Sequence, residues 1–462
     1  MVTRFPTLTR RDFLRVGGVG VAGYSLLPML QATNLQSPAA VTPRGGAEIC
    51  IFIMLQGAPS QMDTFDAKLN RETPEDFDIR TIRDGVRMPV GTLPLLTERL
   101  DKYAIIRSME FWEKDHNRGT YYIQAGRPET PSRMKEVPSF GAVLAYESLN
   151  QRRDTDFLPP YISLNVRTDL LVANGLLPPS CSPMSLNARV KPPFVLPDSE
   201  RETFKIRREL LKQLDREWRE MDTGRGTIFS DMDNFYHSAG LLSNPEAADV
   251  FKIEEEDKKR YGEIDYVFNH LGNACVMARN IAEADAGTKF IIINHGTWDL
   301  HSDIYDKSKT LNQYRLNNEI DLCLANLLDD LESRTDKQGR RLIDKTLVVC
   351  MGEFGRTPGA LNDNMGRDHH DKAGIAVFAG AGVKGGRVIG ATDETAAKVI
   401  DPGWHMKRSI YPEDVIATIF SAMGIDWSKK LVDTPSGRHF EYVESLSPKG
   451  PMDFREISEL FA

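Results

Sequence analysis

The sequence predicts an α/β fold: a doubly wound, mostly parallel sheet with helices on both faces. Three observations carry this. Continuous apolar runs of strand length recur at 48–55 (EICIFIML), 103–107 (YAIIR), 161–165 (YISLN), 289–294 (KFIIIN), 346–351 (TLVVCM) and 374–378 (GIAVF). Unbroken hydrophobicity of that length suits strands covered on both faces. Helix-periodic segments stand between the runs, the order expected of a doubly wound sheet. Several runs also end in polar, glycine-containing loops, and ligands of open α/β sheets bind outside the carboxyl ends of strands.

The first run stops at Gln56-Gly57-Ala58-Pro59, a turn signal that makes 48–55 a buried strand feeding a functional loop. Residues 93–100 read as helical and 103–107 as the second strand. A helix opening at a proline is expected over 138–149, followed by the strand 161–165. The stretch 166–199, rich in Pro, Asn and Ser, reads as a long excursion. Residues 200–221 are long, charged and helix-periodic, and the region about 200–260 is expected to form a helical insert on the sheet's edge. A second long helix is expected over 266–286, with Gly287 as its C-cap. After the strand 289–294, an amphipathic helix spans 312–333, with Tyr314, Leu316, Ile320, Leu324, Leu327, Leu328 and Leu331 near helical spacing. Strands at 346–351 and 374–378, an edge strand at 388–389 and a helix over 412–423 complete the chain. No internal repeat or linker interrupts this, so residues 41–462 read as a single domain.

Composition narrows the class. The chain has 462 residues, 41% hydrophobic and 27% charged, as in ordinary globular proteins; this excludes a disordered chain, a collagen-like repeat and a polytopic membrane protein. The net charge is -8, with the two signs interspersed, so no basic stripe invites nucleic acid. Five cysteines are widely spaced without a CxxC motif, which is neither a disulfide framework nor a zinc-finger pattern.

The N-terminus is unusual. Thr9-Arg10-Arg11-Asp12-Phe13-Leu14 precedes a mildly apolar stretch over 16–30. That stretch is too short to span a bilayer, which takes about 20 residues. A basic region, a hydrophobic region and a polar segment in that order form an export signal, and the paired arginines resemble the twin-arginine (Tat) type. Residues 1–40 are therefore read as signal and linker, and the protein as periplasmic or extracellular. Cleavage near Pro38-Ala39-Ala40 would free it, whereas an uncleaved signal would tether it to the membrane. No other transmembrane segment is expected.

The chemistry concentrates in three loops. After 289–294 comes His295-Gly296-Thr297-Trp298-Asp299-Leu300-His301. Asp299 and His301 are two apart, so in extended chain both point to one side, as metal chelation requires. After 346–351 comes Gly352-Glu353-Phe354-Gly355-Arg356-Thr357-Pro358, and Gly366-Arg367-Asp368-His369-His370 leads into the strand 374–378. His116 lies in a further loop. Histidines and acids in loops are often only hydrogen-bonded surface groups; their recurrence at three strand ends favours a site. Gly380-Ala381-Gly382 lacks the GxGxxG order, so a nucleotide fold is not indicated.

These motifs resemble the DUF1501 family of exported bacterial proteins: LQGAPSQMDTFDAK (55–68), the segment from His116-Asn117-Arg118-Gly119 to Ala125-Gly126-Arg127-Pro128, HGTWDLHSD (295–303), MGEFGRTP (351–358), GRDHH (366–370) and AGAGVKGGRVIGATD (379–393). The resemblance implies an alkaline-phosphatase-like fold related to sulfatases, phosphatases and metal-dependent mutases. It implies that His369 is a ligand of a first metal, with Asp299 and His301 as partners. A second metal would need an acid at the end of the first strand and an Asp-His pair. Here Gln56 and Glu353-Phe354 stand in those places, so that site is degraded, or rebuilt from Glu353 and Asp63. A neutral amide and a phenyl ring are poor or impossible ligands.

The activity so implied is metal-assisted hydrolysis of a small anionic ester, a sulfate or phosphate, using a divalent ion (Zn, Mn or Ca) at one site or two. Thr64 and Ser60 are the candidate nucleophiles, although both also suit turn capping. Arg356, Arg367 and His116 are the candidate anion-binding groups. The competing reading is a non-catalytic protein of the same fold that acts as a binding or assembly component of the cell envelope, with an envelope component as its partner.

Overall fold

The apolar runs do become strands. The computed structural model describes residues 41–462 except 84, 191–197, 222–243, 263–270 and 435. Residues 1–40, with the twin-arginine segment, and the middle of the 200–260 insert lie outside the described residues. The main sheet has eight strands, numbered here in chain order: β1 (Ile49–Met54), β2 (Tyr103–Met109), β3 (Tyr161–Leu164), β4 (Met184–Leu186), β5 (Phe290–Asn294), β6 (Thr346–Met351), β7 (Gly374–Ala379) and β8 (Val388–Ile389). Their spatial order is β8-β2-β7-β6-β1-β5-β3-β4. All neighbours are parallel except where β7 lies between β2 and β6, antiparallel to both.

Helices cover both faces, which is why the central strands carry no polar alternation. Ile51 and Ile53 of β1 share a core with Cys275 and Ala278 of the helix Leu271–Ala284 and with Leu324 and Leu328 of the helix Gln313–Ser333. Phe52, on the opposite face, meets Phe140 of the helix Phe140–Ser148 with ring centroids 5.4 Å apart. All five cysteines are buried free thiols. No helix among the described residues is long and apolar enough to cross a membrane.

Several boundaries move for local reasons. The helix expected from Pro138 starts at Phe140, because Ser139 caps it by accepting from the Ala142 amide at 3.1 Å. The helix expected to reach residue 286 stops at Ala284, where Asp285 turns left-handed at φ 47°. The helical excursion is seen as Asp198–Met221, Pro245–Val250 and Glu255–Tyr261. Strand β4 lies inside the stretch read as an irregular excursion, and an unforeseen hairpin joins Ile79–Arg83 to Val86–Pro89.

One further element stands where the sequence suggests a loop. Residues His116–Ala125 form a helix, capped by Asp115, whose side chain accepts from the Arg118 amide at 3.0 Å. Gly119 obscures it in sequence, since glycine disfavours helix interiors. A Cβ at Gly119 would stand 3.1 Å from the Glu353 side chain, so its absence lets the helix close on the loop after β6.

Candidate metal centre

Strand direction assembles the site. The carboxyl ends of β1, β5 and β6 lie side by side. Because β7 runs the other way, its amino end joins that edge, with Gly374 opposite Met109 at the end of β2. The segment before β7 is therefore delivered to the same rim as the loops after β5 and β6. It is held there by a short antiparallel pairing of His369–His370 with Gly355–Arg356. A wholly parallel sheet would put residues 366–370 at the opposite rim.

Two glycines let these loops touch. Gly57 has φ 99°, and a Cβ there would come within 2.5 Å of the Asp299 backbone nitrogen; at Gly366 it would come within 2.0 Å of the His301 carbonyl carbon. Ala58, Thr297 and Met365 take left-handed φ values of 60°, 77° and 59° in the same loops. Backbone strain of roughly 1–3 kcal/mol per such residue is typical of functional sites.

Four side chains converge on this rim: His116, Asp299, His301 and His369, whose nearest ligand atoms all lie within 4.8 Å of one another. Asp299 Oδ1 is 2.9 Å from Nε2 of His116, 2.9 Å from Nε2 of His301 and 3.5 Å from Nε2 of His369. The Nε2 atoms of His301 and His369 are 3.0 Å apart. Each imidazole is anchored through its other nitrogen: His116 Nδ1 to Glu353 Oε1 at 2.6 Å, His301 Nδ1 to Asp368 Oδ1 at 2.8 Å, and His369 Nδ1 to the Lys114 carbonyl at 2.5 Å. Three Nε2 atoms and a carboxylate oxygen therefore face one centre. Metal-binding histidines are held in this way by outer acceptors. The donor set therefore fits a divalent cation, and among the described residues no other such group occurs.

The cluster is open to solvent, with the Asp299 and His301 side chains 43% and 42% exposed. Phe354 forms its floor, with ring centroids 4.9 Å from His116 and 4.8 Å from His369. Arg356 is buried beside it. It donates to the carbonyls of Ala58 and Arg367 at 3.0 Å each, pairs with Asp299 and comes within 3.3 Å of His301 Nε2. Burial pulls the His116 imidazole down, but its hydrogen bonds to Asp299 and Glu353 prevail and raise it to about 9. Burial pushes Asp299 up, yet the His116 and Arg356 contacts outweigh it and hold the carboxyl well below its usual range. Burial, then the charges of Arg356 and His116, lower His369.

The other expected site residues lie differently. Asp63 does not join the cluster. Its carboxylate receives Arg367 Nε at 2.8 Å, Tyr305 Oη at 2.6 Å and Ser60 Oγ at 2.5 Å. Arg367 is fully buried and also donates to the carbonyls of Thr357 and Gly359, so its charge braces the loops instead of meeting solvent. Thr64 Oγ1 donates to the Ser60 carbonyl at 2.7 Å, and both hydroxyls are buried inside the turn. Glu353 stands behind His116, receiving the Gly57 amide at 2.8 Å, as an anchor and not as one of the converging ligands. His116, expected to bind an anion, is a member of the cluster. Gln56, which stands where the resemblance leads one to expect an acid at the end of β1, has its Oε1 engaged by Asn294 Nδ2 at the end of β5, at 2.9 Å. His295 is buried against Glu319 at 3.1 Å, and His370 bonds the Ala397 carbonyl. Sequence reasoning missed the anchoring roles of Glu353 and Asp368. Their placement beside histidine motifs was a usable signal; the Lys114 carbonyl offered none.

Solved structures with a similar chain course include a protein in the alkaline phosphatase superfamily from Vibrio parahaemolyticus, with 11% identity, coverage of 83% of this chain and 69% of that one, and a TM-score of 0.37. A sulfatase from Pseudoalteromonas sp. has 13% identity, coverage of 88% and 72%, and a TM-score of 0.37. A phosphonate monoester hydrolase from Silicibacter pomeroyi has 10% identity, coverage of 82% and 74%, and a TM-score of 0.35. No curated protein matches the sequence. The family model described as "Protein of unknown function (DUF1501)" matches residues 47–449, and the chain belongs to that family.

Proposed function

We propose that this chain is a metal-dependent hydrolase of sulfate or phosphate esters, exported by its twin-arginine signal and acting outside the cytoplasm. The observation that carries the reading is the convergence of His116, Asp299, His301 and His369, with every imidazole Nδ1 held by an acceptor. Three imidazoles and one carboxylate suit zinc or manganese better than calcium, which prefers an all-oxygen shell. A divalent ion held there would polarise an ester oxygen and lower the pKa of a water molecule. Glu353 and Asp368 hold the Nδ1 sides of His116 and His301, so that Nε2 is the nitrogen turned to the ion, and His116, raised to about 9, would release its Nε2 proton when metal binds. Arg356, buried with its donors engaged by the carbonyls of Gly57, Ala58 and Arg367, pairs with Asp299, holds that carboxylate in place and sets a positive charge behind the cluster. With Ser60 and Thr64 engaged in their turn, water is the nucleophile in this reading.

Those same two hydroxyls also favour a second reading, a metal-dependent binding protein of the envelope without turnover. One experiment separates the two. Purified protein is analysed for metal, then assayed with 4-nitrophenyl sulfate and phosphate plus Zn, Mn or Ca, alongside His301→Ala. The hydrolase reading expects about one equivalent of metal and turnover lost in His301→Ala. Bound metal with no turnover of either ester leaves the binding protein; no bound metal defeats both readings.

A further inference from the structure

The helix Pro412–Ala422 carries two acids in its first turn, Glu413 and Asp414, and both are buried. Asp414 serves the helix itself. It accepts from the Tyr411 amide at 3.0 Å and is clasped by Arg408 at 2.7 and 2.8 Å. That cap does not need Glu413. An acid in the first turn would meet the helix dipole from solvent as well, yet Glu413 is only 1% exposed. Burying a carboxyl group is costly unless hydrogen bonds replace its water, so its partners explain its place.

Both partners flank one member of the cluster. Tyr122 Oη donates to Glu413 Oε1 at 2.6 Å, and Trp112 Nε1 donates to Oε1 and Oε2 at 3.0 and 3.2 Å. Trp112 lies before His116 in the chain and Tyr122 after it. Between them stand Asp115, which caps the helix His116–Ala125, and Lys114, whose carbonyl anchors His369 Nδ1. Two of the four converging side chains therefore depend on a stretch pinned on both sides by one carboxyl group. The base of the pin is firm. Trp112 stacks on Tyr411 with ring centroids 4.1 Å apart and planes 5° apart. Ile410 donates to the Ser108 carbonyl at 2.8 Å and accepts from the Glu110 amide at 2.9 Å, at the end of β2. Asp299 and His301 stand on the loop after β5 instead, and His301 has its own anchor in Asp368.

We propose that Glu413 is a positioning residue for the cluster: it holds the chain from Trp112 to Tyr122 so that His116 and, through the Lys114 carbonyl, His369 turn Nε2 to the common centre. The use made of that centre rests on the metal reading; the placing of the two rings does not. Ligands act well only when held to within about 0.5 Å of the productive geometry, which gives a remote clamp its effect.

The test joins zinc titration against a chromophoric chelator to NMR of the histidine rings in the metal-free full chain, near neutral pH. Glu413→Met keeps the bulk and removes both acceptor oxygens. Its zinc affinity should fall about tenfold, and the ring signals of His116 and His369 should move while that of His301 stays. Tyr122→Phe deletes one donor with little change of volume and should give a smaller effect of the same pattern. Glu413→Gln retains Oε1, the oxygen that both donors share, and should restore wild-type values. Wild-type zinc affinity in both Glu413→Met and Tyr122→Phe would overturn the proposal. So would a loss in Glu413→Gln as large as in Glu413→Met, or equal movement of all three rings, the mark of a general loosening. If wild type binds no zinc, the metal reading fails and the ring signals decide alone: movement confined to His116 and His369 upholds the clamp, and none overturns it.

Discussion

Glu353 Oε1 lies 2.6 Å from Nδ1 of His116, while Asp299 Oδ1 lies 2.9 Å from Nε2 of the same ring. The imidazole is gripped from behind by a buried acid and faces the cluster with its other nitrogen. Glu353→Gln keeps the shape but weakens that grip. Zinc affinity, measured by competition with a chromophoric chelator, is expected to fall about 10–100-fold. Wild-type affinity in Glu353→Gln would show that the anchor is idle.

Asp368 plays the same part for His301 from a more exposed position, its side chain 56% exposed. Asp368→Asn should therefore weaken zinc binding less than Glu353→Gln does, because solvent already screens the contact. The same titration ranks the two variants, and the reverse order would contradict the burial argument.

Metal removal should be visible in stability. A ligand bound only by the folded chain raises its unfolding free energy by about 2.7 kcal/mol at a free concentration 100 times the Kd. Zinc should therefore raise the thermal midpoint of wild type, and a chelator should reverse this. His301→Ala should respond to neither; an equal response in that variant would place the bound zinc elsewhere.

Asp63 and Arg367 are both fully buried and paired at 2.8 Å. Removing one partner strands the other charge, so Arg367→Met should cost about 3–5 kcal/mol in urea unfolding. Ser60→Ala deletes one hydrogen bond to that pair and should cost only about 1 kcal/mol. If Ser60→Ala instead abolished turnover with its stability intact, Ser60 would be a nucleophile after all.

Burial raises Glu413 from its ordinary 4.5 to about 8, although hydrogen bonds from Tyr122 and Trp112 oppose the shift. The folded chain therefore keeps a proton that the unfolded chain releases above pH 4.5. Its contribution to stability is complete below that pH and is lost as pH rises through about 8, by on the order of a few kcal/mol. Glu413→Gln should match wild type near pH 5 and exceed it near pH 9 in urea midpoints. Parallel pH profiles would show that Glu413 does not titrate in this window.

Much of the fold was legible because it is written in local periodicity. The runs at 346–351 and 289–294 are β6 and β5 almost residue for residue, since an unbroken apolar segment bounded by turn residues has few other uses. The helix after Asp115 was not legible, because Gly119 weakens the helical signal and only its packing on Glu353 explains the glycine. Strand β4 was hidden likewise, its three residues drawing their pairing from β3.

The sequence by itself determined the strands and helices, the motif-bearing loops and a histidine-rich chemistry, all of which depend on residue type and near-neighbour spacing. Tertiary structure alone decided which of those residues meet. The reversed direction of β7 brings His369 to the rim where Asp299 and His301 stand. Competition among buried charges gives Asp63 to Arg367 and turns Glu353 toward His116. A buried charge must find its partner in three dimensions, and no spacing along the chain records which partner wins.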